Sequence, residues 1–178
     1  MNSHTKFNTL TNYLIILTII CYALQNIIPD GTIRFGLNVL ILQYPEYFFY
    51  QLLSTMFTHG GIEHLIMNMI VLWQFGNMLE EYMGKVKFLM LYIMGGILTS
   101  VGTLIYMYST GDFVNVVGAS GAISVMMGYF ALKVPSQRNG IIVWMLAISF
   151  LPLLFGMPIA WYSHLIGFGL GFIFGFIF

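Results

Sequence analysis

Hydrophobic positions along this chain fall into long continuous runs, not into strand alternation or a one-sided helical stripe. The runs cover about residues 10–28, 62–79, 88–108, 118–134, 140–155 and 159–178. Glu80-Glu81 closes the second, Pro135 stops the fourth, and Pro152 lies inside the fifth. A spanning helix needs roughly 20 apolar residues. Most of the runs approach that length; the fourth and fifth are shorter and draw on flanking residues or neighbouring protein. The pattern predicts an all-α membrane protein, a bundle of six transmembrane helices forming one domain over residues 1–178. The first run has only Lys6 ahead of it and no clear small-x-small cleavage site behind it. It therefore reads as a retained span rather than a signal peptide.

Composition agrees. Apolar residues make up 59% of the chain and charged residues 7%, against about 25% charged in a soluble domain. Such a chain cannot cover a water-facing surface with charge, so its first partner is the lipid bilayer. The net charge is zero and there is no basic patch or charged tail, which argues against nucleic acid as a partner. The single cysteine, Cys21, lies in the first run and reads as packing.

Loop charges set the expected orientation. With a cytoplasmic N-terminus, the inner segments hold Lys6, Lys85, Lys87, Lys133 and Arg138, and the outer segments hold only Arg34. Both termini are then cytoplasmic. The first outer loop, residues 29–61, is much longer than the other connections. Its stretch 45–53 is strongly apolar and aromatic but too short to span. That composition suits the bilayer interface and predicts a loop partly inserted in the membrane, as an anchor or as a wall beside the site.

Two motifs carry chemistry. Ser120 lies in Gly118-Ala119-Ser120-Gly121, and His164 lies just inside the sixth run. Both enter the membrane from the outer side at similar depth. Ser120, Ser124 and Gly128 share one face of the fourth span; His164 shares a face of the sixth with Gly167, Gly171 and Gly175. Small residues at four-residue spacing let helix backbones approach closely, so packing these faces together brings hydroxyl and imidazole into contact. A serine hydroxyl becomes an effective nucleophile when a base takes its proton. No Asp or Glu lies in a span near this depth, so the expectation is a Ser–His dyad without a third acid.

The second motif runs from His59 through Gly60-Gly61 to His64 and Asn68. His64 and Asn68 are four apart on one helix face, and both are donors of the kind an oxyanion needs. A zinc helix would need Glu directly after the first histidine, where Gly60 stands, and no carboxylate accompanies His164. No metal and no cofactor is expected. A transporter reading lacks internal repeats and an intramembrane carboxylate to carry cations. A non-catalytic binder has no need of both Ser120 and His164.

Taken in order on their spans, His59, His64, Asn68, Gly118-Ala119-Ser120-Gly121, His164, Gly167 and Gly171 resemble the rhomboid intramembrane serine proteases. The likeness covers about residues 10–178 and fits the minimal six-span bacterial form, placed in the cytoplasmic membrane. It implies Ser120 as nucleophile and His164 as general base. It implies an oxyanion site of His64, Asn68 and the Ser120 N–H, with His59 as a structural residue beside it. Its substrates would be single-span membrane proteins, cut near the outer end of the span after a small residue. Three departures from the family pattern stand out. Tyr50-Gln51 replaces Trp-Arg in the first loop. Ser124 replaces an aromatic that packs beneath the histidine, leaving that role to another ring such as Tyr162 or Phe168. Ile166 replaces the first of two glycines after the histidine.

Overall fold

A computed structural model describes residues 8–178; Lys6, counted above as an inner charge, lies outside them. Six long helices correspond to the six apolar runs. They are α1 (Leu10–Ile27), α6 (Ile62–Met83), α7 (Lys85–Thr110), α8 (Ser120–Lys133), α9 (Arg138–Leu154) and α10 (Trp161–Ile177). The first loop carries four short helices, α2 (Gly31–Phe35), α3 (Leu40–Gln43), α4 (Pro45–Phe48) and α5 (Gln51–Ser54), and then a 3-10 turn at Thr55–Phe57. The described residues contain no β-strand, only one antiparallel bridge between Leu37 and Val116.

Length alone does not make every helix a span. Of the described helices, α1 and α7 are long and apolar enough to cross a membrane. The shortest of the six long helices, α8 with 14 residues, is the most enclosed: every residue from Ala122 to Ala131 is buried. Helices α6, α7, α9 and α10 all pack on it. A helix wrapped by others satisfies its backbone internally and does not need full bilayer length of its own.

The helix of the second apolar run, α6, does not end at Glu80-Glu81 as the sequence suggested, but runs on to Met83. Glu80 is buried rather than interfacial. The reason lies in α1, whose first N–H groups have no partner inside their own helix. The Glu80 carboxylate accepts from the Leu10 N–H at 2.8 Å, the Thr11 N–H at 2.9 Å and the Thr11 hydroxyl at 2.9 Å. A carboxylate at a helix N-terminus also sits well in the helix dipole. Thr11 in turn lies against Gly76, where an added Cβ would come within 2.6 Å of its methyl group.

The first loop is tied down by polar bonds. Gln51 is fully buried. Its amide donates to the Arg34 carbonyl at 3.0 Å, and the Tyr50 hydroxyl donates to the same carbonyl at 3.0 Å. Thus the pair that departs from the family pattern joins the two ends of this loop, beside bonds from Ser54 to the Phe35 carbonyl and from Asn38 to Asn115. Tyr47 and Phe49 point outward, while Phe48 and Leu52 pack on a small core of Leu37, Ile41, Leu104, Met107 and Tyr162.

Candidate active site

Helices α6, α8 and α10 bring their N-terminal ends together. Ser120 is the first residue of α8, His164 the fourth of α10, and His64 and Asn68 lie in the first two turns of α6. Helix N-termini carry unpartnered N–H groups and a positive dipole end, so three of them meeting make a region suited to negative charge.

The close approach of α8 and α10 rests on glycine. A Cβ on Gly171 would lie 2.6 Å from the Tyr129 nitrogen and 2.9 Å from the Gly128 Cα. One on Gly167 would lie 2.5 Å from the Gly121 carbonyl oxygen. Gly121 itself packs on Thr99 of α7. The glycine face of α10 therefore lies on the Ser124–Gly128 face of α8, as the spacing predicted. With the backbones this close, the Ser120 Oγ and the His164 Nε2 stand 2.9 Å apart.

The turn into α8 is shaped by its neighbours. Gly118 has φ +119°, a region open to glycine, and a Cβ there would sit 2.8 Å from the His64 ring. Its N–H donates to the Thr55 carbonyl at 3.0 Å, and the next N–H, of Ala119, points to the His59 Nε2 at 3.5 Å. Burial, reinforced by the neighbouring His64, pushes the His59 imidazole down to about 3, which leaves it neutral and able to accept. The His59 backbone is itself pinned by Gln25 of α1, whose amide oxygen takes the His59 N–H at 2.9 Å and whose nitrogen donates to the His59 carbonyl.

Asn68 supplies a different feature. Its side-chain nitrogen is buried and has no hydrogen-bond partner. It lies 3.4 Å from where a Gly118 Cβ would stand, aimed at the turn before Ser120. A buried donor without a partner costs free energy; one aimed at a nucleophile's turn has a use when negative charge develops there. Among the described residues no cluster of three metal-ligating side chains forms.

The two rings expected to pack against His164 each have a ring partner of their own. Tyr162 stacks on Tyr106 with centroids 4.0 Å apart, and Phe168 tilts against Phe172. Ser124 bonds back to the Ser120 carbonyl at 2.7 Å, and its small side chain admits Gly167. The group that meets the far side of the imidazole is Ser149 of α9, whose Oγ lies 3.2 Å from the His164 Nδ1. Sequence reasoning missed both Ser149 and Gln25. Ser149 had one visible signal: it is the single hydroxyl in the fifth apolar run.

The Rhomboid domain family matches residues 47–178. The chain belongs to the rhomboid family. It is 30% identical over 135 residues to YdcA of Bacillus subtilis (strain 168), itself named as a candidate rhomboid protease, covering 72% of this chain and 66% of that protein. It is 33% identical over 102 residues to the human mitochondrial presenilin-associated rhomboid-like protein, covering 57% of this chain. It is 29% identical over 136 residues to RHOMBOID-like protein 4 of Arabidopsis thaliana, covering 72% of this chain. The matched stretch is 25% of the human protein's own length and 34% of the Arabidopsis one. Rhomboid proteins are integral membrane proteins and generally intramembrane serine proteases that act on transmembrane substrates.

Proposed function

We propose that this chain is an intramembrane serine endopeptidase that cleaves single-span membrane proteins near the outer end of their transmembrane segment. The observation that carries the reading is the 2.9 Å contact between the Ser120 Oγ and the His164 Nε2 at the meeting point of three helix N-termini. In this reading Ser120 attacks the scissile carbonyl as its proton passes to His164 Nε2. The oxyanion that forms is held by the Asn68 amide, by His64 and by the Ser120 N–H at the start of α8. His164 then gives the proton to the leaving amine as the C–N bond breaks. Water, activated by the same imidazole, hydrolyses the acyl-enzyme.

The six long helices are read as six spans with both termini cytoplasmic, in a bacterial cytoplasmic membrane, and residues 29–61 as a loop partly inserted in the outer leaflet. The exposed Tyr47 and Phe49 support that placement. The site then lies several ångströms below the outer surface, since Ser120 and His164 are within four residues of their helix starts. A substrate helix must unwind there to release its carbonyl.

The test is labelling of the detergent-solubilised protein with a serine-directed fluorophosphonate. Wild type should label and turn over a single-span substrate; Ser120→Ala and His164→Ala should do neither while keeping the wild-type melting profile. Labelling or turnover retained in Ser120→Ala removes the mechanism.

A further inference from the structure

Ser149 stands apart from the other hydroxyls of this bundle. Serine and threonine in membrane helices commonly bond to the carbonyl four residues back, and Thr18, Thr99, Ser100 and Ser124 do so here. Ser149 does so too, donating to the Met145 carbonyl at 2.7 Å. Of the described hydroxyls that bond back in this way, it alone also reaches a ring nitrogen, the His164 Nδ1 at 3.2 Å. It is fully buried, and with Ile141 and Met145 it makes up the buried residues of α9.

A hydroxyl has one proton and two lone pairs. The Ser149 proton is engaged by Met145, so toward His164 the oxygen can only accept. The Nδ1 must then carry the hydrogen. A neutral imidazole has one N–H, which leaves the Nε2 lone pair facing the Ser120 hydroxyl. That is the tautomer a general base needs, and in serine hydrolases with a carboxylate the third group has the same task of holding it.

We propose that Ser149 is a positioning residue for the reaction, fixing His164 as its Nδ1–H tautomer and orienting its Nε2 toward Ser120. The inference rests on the Ser–His reading above and adds to it a third member on a third helix. It also supplies what Ser124 does not. Position 124 offers no ring to pack against the imidazole, and a polar contact from α9 holds it. No proton passes to Ser149: the proton from Ser120 is taken and returned at Nε2, and Nδ1–H stays bonded throughout.

The experiment combines NMR with kinetics. In protein carrying 15N-histidine, the His164 resonance is assigned by its loss in His164→Ala, and its shifts report which ring nitrogen bears hydrogen. Wild type should show Nδ1–H, and Ser149→Ala a mixture of tautomers. Turnover by Ser149→Ala should fall about 3- to 10-fold in kcat with KM unchanged, the ratio one neutral hydrogen bond accounts for. Ser149→Thr, which keeps the hydroxyl, should restore most of both. A wild-type His164 protonated on Nε2 overturns the proposal, and that result is independent of how any variant folds. So does a Ser149→Ala enzyme with wild-type kcat beside an inactive Ser120→Ala. If instead Ser120→Ala and His164→Ala remain active, the proteolytic reading fails, and the tautomer in wild type still decides the Ser149 contact separately.

Discussion

Replacing Asn68 with alanine removes an amide whose nitrogen is buried and unpartnered in the resting protein. That fact sets two opposite expectations. For stability, the unpaired donor already costs about 1–3 kcal/mol, and its removal offsets the packing lost with the truncated side chain. The melting temperature of Asn68→Ala should therefore stay within about 2–4 °C of wild type, the shift that goes with about 1 kcal/mol in a domain of this size. For catalysis, the amide is aimed at the turn before Ser120, where the oxyanion would form. Loss of one such donor costs on the order of 100-fold in kcat, roughly 3 kcal/mol. Any redundancy with His64 or the Ser120 N–H would reduce that loss. The assay is cleavage of a single-span substrate over a range of substrate concentration in a fixed amount of detergent, with melting followed on the same preparations. A fall in kcat at constant KM and constant melting temperature is expected. A raised KM with unchanged kcat would make Asn68 a substrate-binding residue. Joint loss of stability and activity would make it structural. Either result would refute the argument.

Three further outcomes follow from other parts of the molecule. Gly171→Ala places a methyl against the Tyr129 nitrogen and the Gly128 Cα and should cost about 1–3 kcal/mol, with a drop in melting temperature and turnover; Gly169→Ala, which meets nothing within 4 Å, should be tolerated. Gln51→Ala unties the first loop from the Arg34 carbonyl and should cost about 1–3 kcal/mol, read as faster limited proteolysis within residues 29–61. Moving a Gly or Pro stepwise along a substrate span should move efficient cleavage with it only in the outer part, as mapped by mass spectrometry of the products; efficient cutting near the cytoplasmic end would contradict the placement of the site.

The helices and the main juxtaposition were legible because they rest on local patterns. The four-residue spacing of Ser120, Ser124 and Gly128, and of Gly167, Gly171 and Gly175, identified which faces of α8 and α10 meet, and the contact between Ser120 and His164 follows from that packing. What escaped was polar bonding between segments far apart in the chain. Glu80 looks like a charge that ends a span, yet it caps α1 nearly 70 positions earlier. Gln25 looks like a polar residue near a helix end, yet it clamps the His59 backbone. Neither spacing nor hydropathy encodes such partnerships, because each depends on which helix ends become neighbours. Ser149 was hidden for the same reason: its 15-residue separation from His164 spans the turn between α9 and α10, and no helical period relates the two.

The positions that depart from the family pattern make sense only with the residues they touch. Ser124 is small, and Gly167 fills the space above it: a Cβ on Gly167 would already lie 3.1 Å from the Ser124 Cβ. A large ring at 124 would therefore press on the α10 backbone at the point that sets the Ser120–His164 distance. Ile166 is larger than glycine, and α7 makes room for it with Gly102, where a Cβ would fall 2.7 Å from the Ile166 methyl. The result is an α10 held from one side by α8 through glycine, from a second by α7 through Ile166, and from a third by α9 through Ser149. Each contact fixes a different freedom of His164: its distance from Ser120, the rotation of its helix, and the orientation and tautomer of its ring. A proton transfer needs all three at once. On this argument, restoring an aromatic ring at position 124 alone would not give a more typical enzyme; it would separate α8 from α10 and pull the imidazole away from Ser120.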